Sequence, residues 1–210
     1  MIDTVIFDFD GTLADTNQLI INSFKHIYCK FHDGKCDEDY ILSTFGEPLE
    51  LTLRRDFGAY SFEDVIASYR DYQFERFEND VKLYETVEET VKYLVQNNIK
   101  VGIATSRLRG STLSALKKFD MDKYFQVVIS ADDVTKHKPD KEPLIKAISE
   151  LNSTPENTLY VGDSKFDMEC AINAGVSPVL VGWQKNSEEL AAKYNVKHVI
   201  DKMWDLTKII

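Results

Sequence analysis

From Val87 onward the chain alternates between runs of helical and of strand periodicity, and this alternation most narrows what it can fold into. Helical patterns over Val87 to Gln96, Ser111 to Phe119, Pro143 to Leu151, Phe166 to Ala174 and Ser187 to Tyr194 alternate with short apolar runs. Those runs are Lys100 to Ala104, Val127 to Ser130, Thr158 to Val161, Pro178 to Val181 and His198 to Ile200. Repeated βα units require a mostly parallel sheet with helices on both faces. One more apolar run, Thr4 to Asp8, opens the chain and is closed by acid and then by Gly11. Between it and the alternation, from about Thr16 to Lys82, the pattern is helical, aromatic and charged, with no strand. Phe24, Ile27 and Phe31 mark one apolar face there, and Val65, Ile66, Tyr69 and Tyr72 another. The expectation is an α/β core of residues 1–15 and 83–210, interrupted after its first strand by a helical lid, residues 16–82. Its hinges fall near Asp15-Thr16 and Lys82-Leu83-Tyr84.

A chain of 210 residues suffices for such a core and insertion. Its net charge of −10 repels phosphate backbones and anionic lipid, so no nucleic acid or membrane partner is expected. A phosphorylated substrate must then be drawn in by local Lys, Arg or metal. No apolar run approaches the ~18 residues of a membrane span. Met1-Ile2-Asp3 lacks a basic secretory region, and the three cysteines form no Cys-x-x-Cys pair, so a cytoplasmic protein is expected. His26, Cys29, His32 and Cys36 raise the question of zinc. On a helix from Gln18 to Phe31 the first three progress around the face without converging, and the spacing matches no usual zinc pattern. Free thiols are the expectation, and Cys170 receives no role.

In open α/β sheets ligands bind beyond the carboxyl ends of the strands. Three such ends carry reactive groups: Asp8-Phe9-Asp10-Gly11-Thr12, Thr105-Ser106, and Gly162-Asp163-Ser164 with Asp167 close behind. Lys136-His137-Lys138-Pro139 adds a basic loop. Carboxylates held close cannot all ionise unless a cation sits among them. Mg²⁺ suits Asp8, Asp10 and Asp163, because it takes few carboxylates and keeps water and phosphate oxygens as its other ligands. Asp8 is then a candidate nucleophile toward phosphorus, and Asp10 a candidate general acid and base. Gly11 lets the backbone approach phosphoryl oxygens. Thr105 and Lys138 supply a hydrogen bond and a positive charge where the transition state gathers negative charge. Thr12, Ser106 and Arg107 belong to the same edge as candidate substrate contacts. Arg54, Arg55 and Arg109 are further possible substrate-reading cations, with a solvated helix face the alternative for Arg54 and Arg55.

Asp8-Phe9-Asp10-Gly11-Thr12-Leu13-Ala14-Asp15-Thr16 resembles, at every position, the D-x-D-G-T-L-x-D-[ST] signature of haloacid dehalogenase superfamily phosphatases. Thr105, Lys138 and Gly162-Asp163 with Asp167 resemble that superfamily's other three motifs. The resemblance implies a Rossmann-like parallel core with an inserted α-helical cap domain, obligate Mg²⁺ and an aspartyl-phosphate intermediate. It also implies the backbone carbonyl of Asp10 as a metal ligand and Asp167 as a support for Asp163 and metal-bound water. Within the superfamily the chain looks most like PpaX-type pyrophosphatases and phosphoglycolate phosphatases. Asp15-Thr16-Asn17-Gln18-Leu19-Ile20, Tyr84-Glu85-Thr86-Val87 and Lys138-Pro139-Asp140-Lys141-Glu142-Pro143 carry that likeness. Gly46 falls in the expected specificity loop of the cap, where Gly46-Glu47-Pro48-Leu49 matches the PpaX pattern loosely.

The expected activity is hydrolysis of a small phosphorylated substrate, inorganic pyrophosphate first, with phosphoglycolate or a sugar phosphate as the alternative. A phosphomutase on this layout would need a cap His and a Lys before the cap glycine, where Ile20 and Phe45 stand. Dehalogenation would dispense with the Asp10 carboxylate and the metal. A non-catalytic phosphate-binding protein would have lost Asp8, Asp10, Lys138 or Asp163, and all are present.

Overall fold

A computed structural model describes the backbone of residues 1–210 and the side chains of residues 1–77 and 79–210. The first strand, β1 (Thr4–Phe7), is buried along its whole length. A two-residue strand, β2 (Ala14–Asp15), follows, and then four helices: α1 (Asn17–Phe31), α2 (Glu38–Ser43), α3 (Leu49–Asp56) and α4 (Phe62–Asp80). The chain returns through β3 (Lys82–Leu83) to α5 (Val87–Gln96), β4 (Lys100–Ala104), α6 (Arg109–Lys118) and β5 (Val127–Ile129). It continues through α7 (Glu142–Glu150), β6 (Thr158–Gly162), α8 (Lys165–Ala174), β7 (Ser177–Val181), α9 (Ser187–Tyr194) and β8 (His198–Ile200).

The six long strands form one parallel sheet in the order β5-β4-β1-β6-β7-β8. This is the α/β, Rossmann-like fold expected from the alternation. Strands covered on both faces read as continuous apolar runs, which is why β1, β4 and β6 were legible. Their side chains alternate between the faces. Val5, Phe7, Val101, Ile103, Leu159 and Val161 join one cluster, whereas Ile6 and Tyr160 join the cluster that includes Leu144 and Ala171 of α7 and α8. Connections leave β1 in opposite directions, so the crevice between the ends of β4, β1 and β6 is the topological switch point where ligands bind.

Three details depart from the sequence expectation. The ladder of β1 ends at Phe7, although the Asp8 N–H still donates to the Val161 carbonyl at 2.9 Å. The 16–82 block, expected to be bounded by hinges alone, is bracketed by β2 and β3, which pair antiparallel. A 3₁₀ run from Met203 to Lys208, absent from the periodicity, packs Met203 and Leu206 beside α5. Helices α1–α4 enclose a hydrophobic cluster of their own, built on Phe24, Ile27, Ile41, Leu53, Phe57, Val65 and Tyr69. The C-terminal part of α4 leans on the sheet domain through Tyr72 and Phe77.

Candidate functional site

Asp8 and Asp163 each sit one residue past a strand end, after β1 and β6 respectively, and Asp167 lies in the first turn of α8. A reciprocal cap fixes that turn. The Asp167 N–H donates to Ser164 Oγ at 3.3 Å, and Asp167 Oδ2 accepts from the Ser164 N–H at 3.0 Å and its hydroxyl at 2.6 Å. Lys138 enters from the loop between β5 and α7, its side chain 1% exposed. Its ammonium lies 2.7 Å from Asp167 Oδ1 and 3.0 Å from Asp8 Oδ1. It also donates to the Tyr160 hydroxyl at 3.2 Å. That hydroxyl has the Asp167 carboxylate at 2.8 Å and the Ala104 carbonyl at 2.9 Å as acceptors.

One ammonium among three buried carboxylates leaves the cluster short of positive charge. Burial, reinforced by Asp167 and Asp10 against the pull of Lys138, pushes Asp8 up to about 7. Burial, then Asp167 and Asp8, push Asp163 well above the usual carboxylate range. Burial opposes the charge on Asp167 too, yet Lys138 and the Ser164 and Tyr160 donors hold it below that range. Lys138 is held above its ordinary value by Asp167 and Asp8, although burial works the other way. Carboxylate oxygens of Asp8, Asp163 and Asp167 all lie within 4.8 Å of one another. Among the described residues the Lys138 ammonium is the only donor beside Asp8 Oδ1, which leaves that oxygen with spare acceptor capacity. An all-oxygen donor set with two negative charges in excess fits a hard divalent cation such as Mg²⁺.

The remaining residues of the edge form a second group. The Asp10 carboxylate lies outside the three-carboxylate cluster and pairs with Arg107, Nη1 to Oδ1 at 2.9 Å. Buried Thr105 accepts the Arg107 N–H on its hydroxyl at 3.2 Å. Ser106 Oγ donates to the Gly46 carbonyl at 2.9 Å, which ties the loop between α2 and α3 to the end of β4. Gly46 has φ +86°, and a Cβ there would come within 2.5 Å of Ser164 Oγ. Thr12 Oγ1 donates to Asp163 at 3.4 Å.

Arg109 is engaged by Asp133 and the Val128 carbonyl, Arg55 by both oxygens of Glu47, and Arg54 by Glu50. His26 bonds Ser68 and His32 bonds the Asp56 carbonyl, while Cys29 is exposed and Cys36 half-buried. Tyr160 escaped the sequence reading because it sits inside an apolar strand; a lone hydroxyl there was the available signal. Trp183 and Gln184, just past β7, were missed as well. They donate to the Gly11 carbonyl at 2.9 and 3.0 Å and hold the turn after Asp10.

Gly11 is required by both conformation and space. Its φ is +75°, and a Cβ would lie 2.2 Å from Asp163 Oδ2. Gly11→Ala is expected to displace Asp163 and to weaken the binding of a divalent cation at this cluster at least about tenfold, read by thermal shift against Mg²⁺ concentration. Unchanged affinity would contradict the close approach.

A family model described as haloacid dehalogenase-like hydrolase matches residues 5–181. A protein of Caldanaerobacter subterraneus subsp. tengcongensis, assigned as pyrophosphatase PpaX, is 41% identical over 209 residues, covering 100% of this chain and 94% of that one. Pyrophosphatase PpaX of Bacillus mycoides is 38% identical, covering 100% of this chain and 97% of its own. A crystal structure assigned as a phosphoglycolate phosphatase, from Lactobacillus plantarum, superposes with a TM-score of 0.85 at 26% identity and covers 100% of both chains. Signature, sheet order and full-length similarity agree: the chain belongs to the haloacid dehalogenase-like hydrolase family.

Proposed function

We propose that the protein is a Mg²⁺-dependent phosphohydrolase that passes through a phosphorylated Asp8 and acts on inorganic pyrophosphate. The buried cluster of Asp8, Asp163, Asp167 and Lys138 at the switch point carries the proposal. Asp8 and Asp163, with the Asp10 backbone carbonyl, would hold the ion, and Asp167 would support them. When bound, such an ion would supply charge neutralisation for the phosphoryl oxygens and favour the ionised form of Asp8. An Asp8 oxygen attacks phosphorus, the bond from phosphorus to the leaving oxygen breaks, and Asp10 delivers a proton to that oxygen. Water then attacks the aspartyl phosphate, gives its proton to Asp10 and restores Asp8. Lys138 and Thr105 stabilise the phosphoryl charge throughout. Residues 16–82 act as the cap over a core of residues 1–15 and 83–210. The Ser106–Gly46 hydrogen bond would hold this cap against the end of β4.

The names of the PpaX relatives favour inorganic pyrophosphate as the substrate. The Lactobacillus plantarum neighbour supports phosphoglycolate as a second reading. Phosphate release from pyrophosphate, phosphoglycolate and sugar phosphates, with and without Mg²⁺, tests both. Pyrophosphate ranking last in that panel removes the first reading, and metal-independent turnover removes the mechanism.

Metal binding also carries a pH signature. Folded Asp8, pushed up to about 7, keeps a proton that the unfolded chain releases at lower pH. Its contribution to stability is therefore present in acid and fades as pH rises to about 7. Asp163, shifted in the same direction, adds to that trend. Below about 7, protons compete with the cation for these oxygens. The Tm gain on adding Mg²⁺ is expected to be several degrees larger at pH 8 than at pH 5.5. Equal gains at both would contradict the carboxylate site.

A further inference from the structure

The guanidinium of Arg107 is only partly used by the protein. Nη1 donates to Asp10, but Nε is buried without a hydrogen-bond partner among the described residues, in a side chain 11% exposed. The group lies near two rings, 5.5 Å from the centroid of Phe9 in the core and 5.4 Å from that of Phe77 in α4. Its backbone is anchored on both sides, N–H to Thr105 Oγ1 and carbonyl from the Ala131 N–H. Across from it, α4 carries Tyr69, Gln73 and Phe77 at four-residue spacing, hence on one face.

We infer that Arg107 is the subsite for an anionic oxygen on the part of the substrate that is not transferred, a phosphate or a carboxylate on the leaving group. The inference rests on the phosphohydrolase reading above and extends it to substrate class. Buried N–H groups without an acceptor are rare in native proteins, so the Nε edge calls for an acceptor from outside the chain. The planar fork of arginine matches phosphate and carboxylate oxygens in pairs. Position supplies the rest. Arg107 contacts Asp10, the residue proposed to protonate the leaving oxygen, so an anion attached to that oxygen comes within reach of the same guanidinium. Arg54, Arg55 and Arg109 are engaged by carboxylates elsewhere. An alkyl leaving group would leave Nε unmet, whereas pyrophosphate or a phosphorylated hydroxy acid satisfies it.

Phosphoglycolate and ethyl phosphate differ at the leaving group by a carboxylate, and pyrophosphate presents a second phosphate. The test is kcat/KM for these three in wild type, Arg107→Met and Arg107→Lys. Wild type is expected to favour both doubly anionic substrates over ethyl phosphate. In Arg107→Met that preference should fall at least about thirtyfold, with Arg107→Lys in between. The larger fall identifies the second anion as phosphate or carboxylate. Parallel losses on all three substrates, complete inactivity included, overturn the inference, as does a wild type that prefers ethyl phosphate. Should Arg107→Met fail to fold, Arg107→Lys carries the comparison on the same terms. An active wild type with an unchanged ratio fails the inference alone; a wild type inactive on every phosphorylated substrate fails the phosphohydrolase reading beneath it.

Discussion

Asp8→Asn is expected to lose at least about 10⁴-fold in phosphate release, as removal of a nucleophile does, while the metal-free protein becomes more stable than wild type. The two effects share one cause. Asp8 is buried beside Asp163 and Asp167 with Lys138 as the nearby cation, and its carboxyl is pushed up to about 7. At pH 8 the metal-free fold must hold that carboxylate charged, against burial and two like neighbours. An amide of the same shape removes the repulsion and keeps the packing. The metal-free Tm of Asp8→Asn should rise by a few degrees at pH 8, and the Mg²⁺-induced gain should shrink. Turnover above about a hundredth of wild type would end the covalent role, because an amide cannot take the place of the attacking carboxylate. A lower metal-free Tm would refute the electrostatic account even if activity vanished.

Lys138→Met should act in the opposite sense on stability. The ammonium is the cation shared by Asp8 and Asp167 at 3.0 and 2.7 Å, with both carboxylates buried. Breaking a buried pair by removing one partner costs about 3–5 kcal/mol, because the other charge stays behind without compensation. In a protein of this size that is a fall in Tm of roughly 6–20 °C at pH 8. Mg²⁺ should recover part of the loss by supplying positive charge to the same oxygens, and activity should stay lost because the phosphoryl oxygens lack their clamp. The loss should lessen toward pH 5.5, where Asp8 and Asp163 take up protons. Melting within a degree of wild type at pH 8 would mean that Lys138 does not hold the cluster together.

The core of the fold was legible because its central strands are covered on both faces, and burial writes them as continuous apolar runs. Helices α5 and α9 and strands β4 and β8 fall at the residues expected, and the other boundaries of the alternating region move by one or two. Asp8, Thr105 and Asp163 were picked out by a topological rule, since each follows a strand end, and Asp167 by its place close behind the last of them. Periodicity reports which face a residue takes but not which partner it meets. The Asp10–Arg107 pair, joined across the switch point, had no sequence signal as a pair. Nor did the Tyr160 hydroxyl between Lys138 and Asp167, because Tyr in a buried strand reads as an aromatic core residue. The four-helix arrangement of residues 17–80 was seen only as a block with apolar faces. Its internal order depends on packing such as Phe24 against Tyr69, ring centroids 5.2 Å apart, which amphipathic spacing leaves open.

The small ribbon of β2 and β3 has a consequence for how such a chain can change over time. Ala14 pairs with Leu83 and Asp15 with Lys82, and the Tyr84 N–H reaches the Leu13 carbonyl at 3.0 Å. The chain therefore leaves the sheet domain and returns to it side by side. Seen from the parallel sheet, everything from residue 16 to 81 occupies the place of a tight turn between two antiparallel strands. Loop-closure entropy grows by only about 0.6 kcal/mol per doubling of length, so with its ends already paired this segment is free to lengthen, shorten or be exchanged at little conformational cost. The ribbon is a socket: it lets the inserted segment be rewritten while the register of the parallel sheet stays as it is.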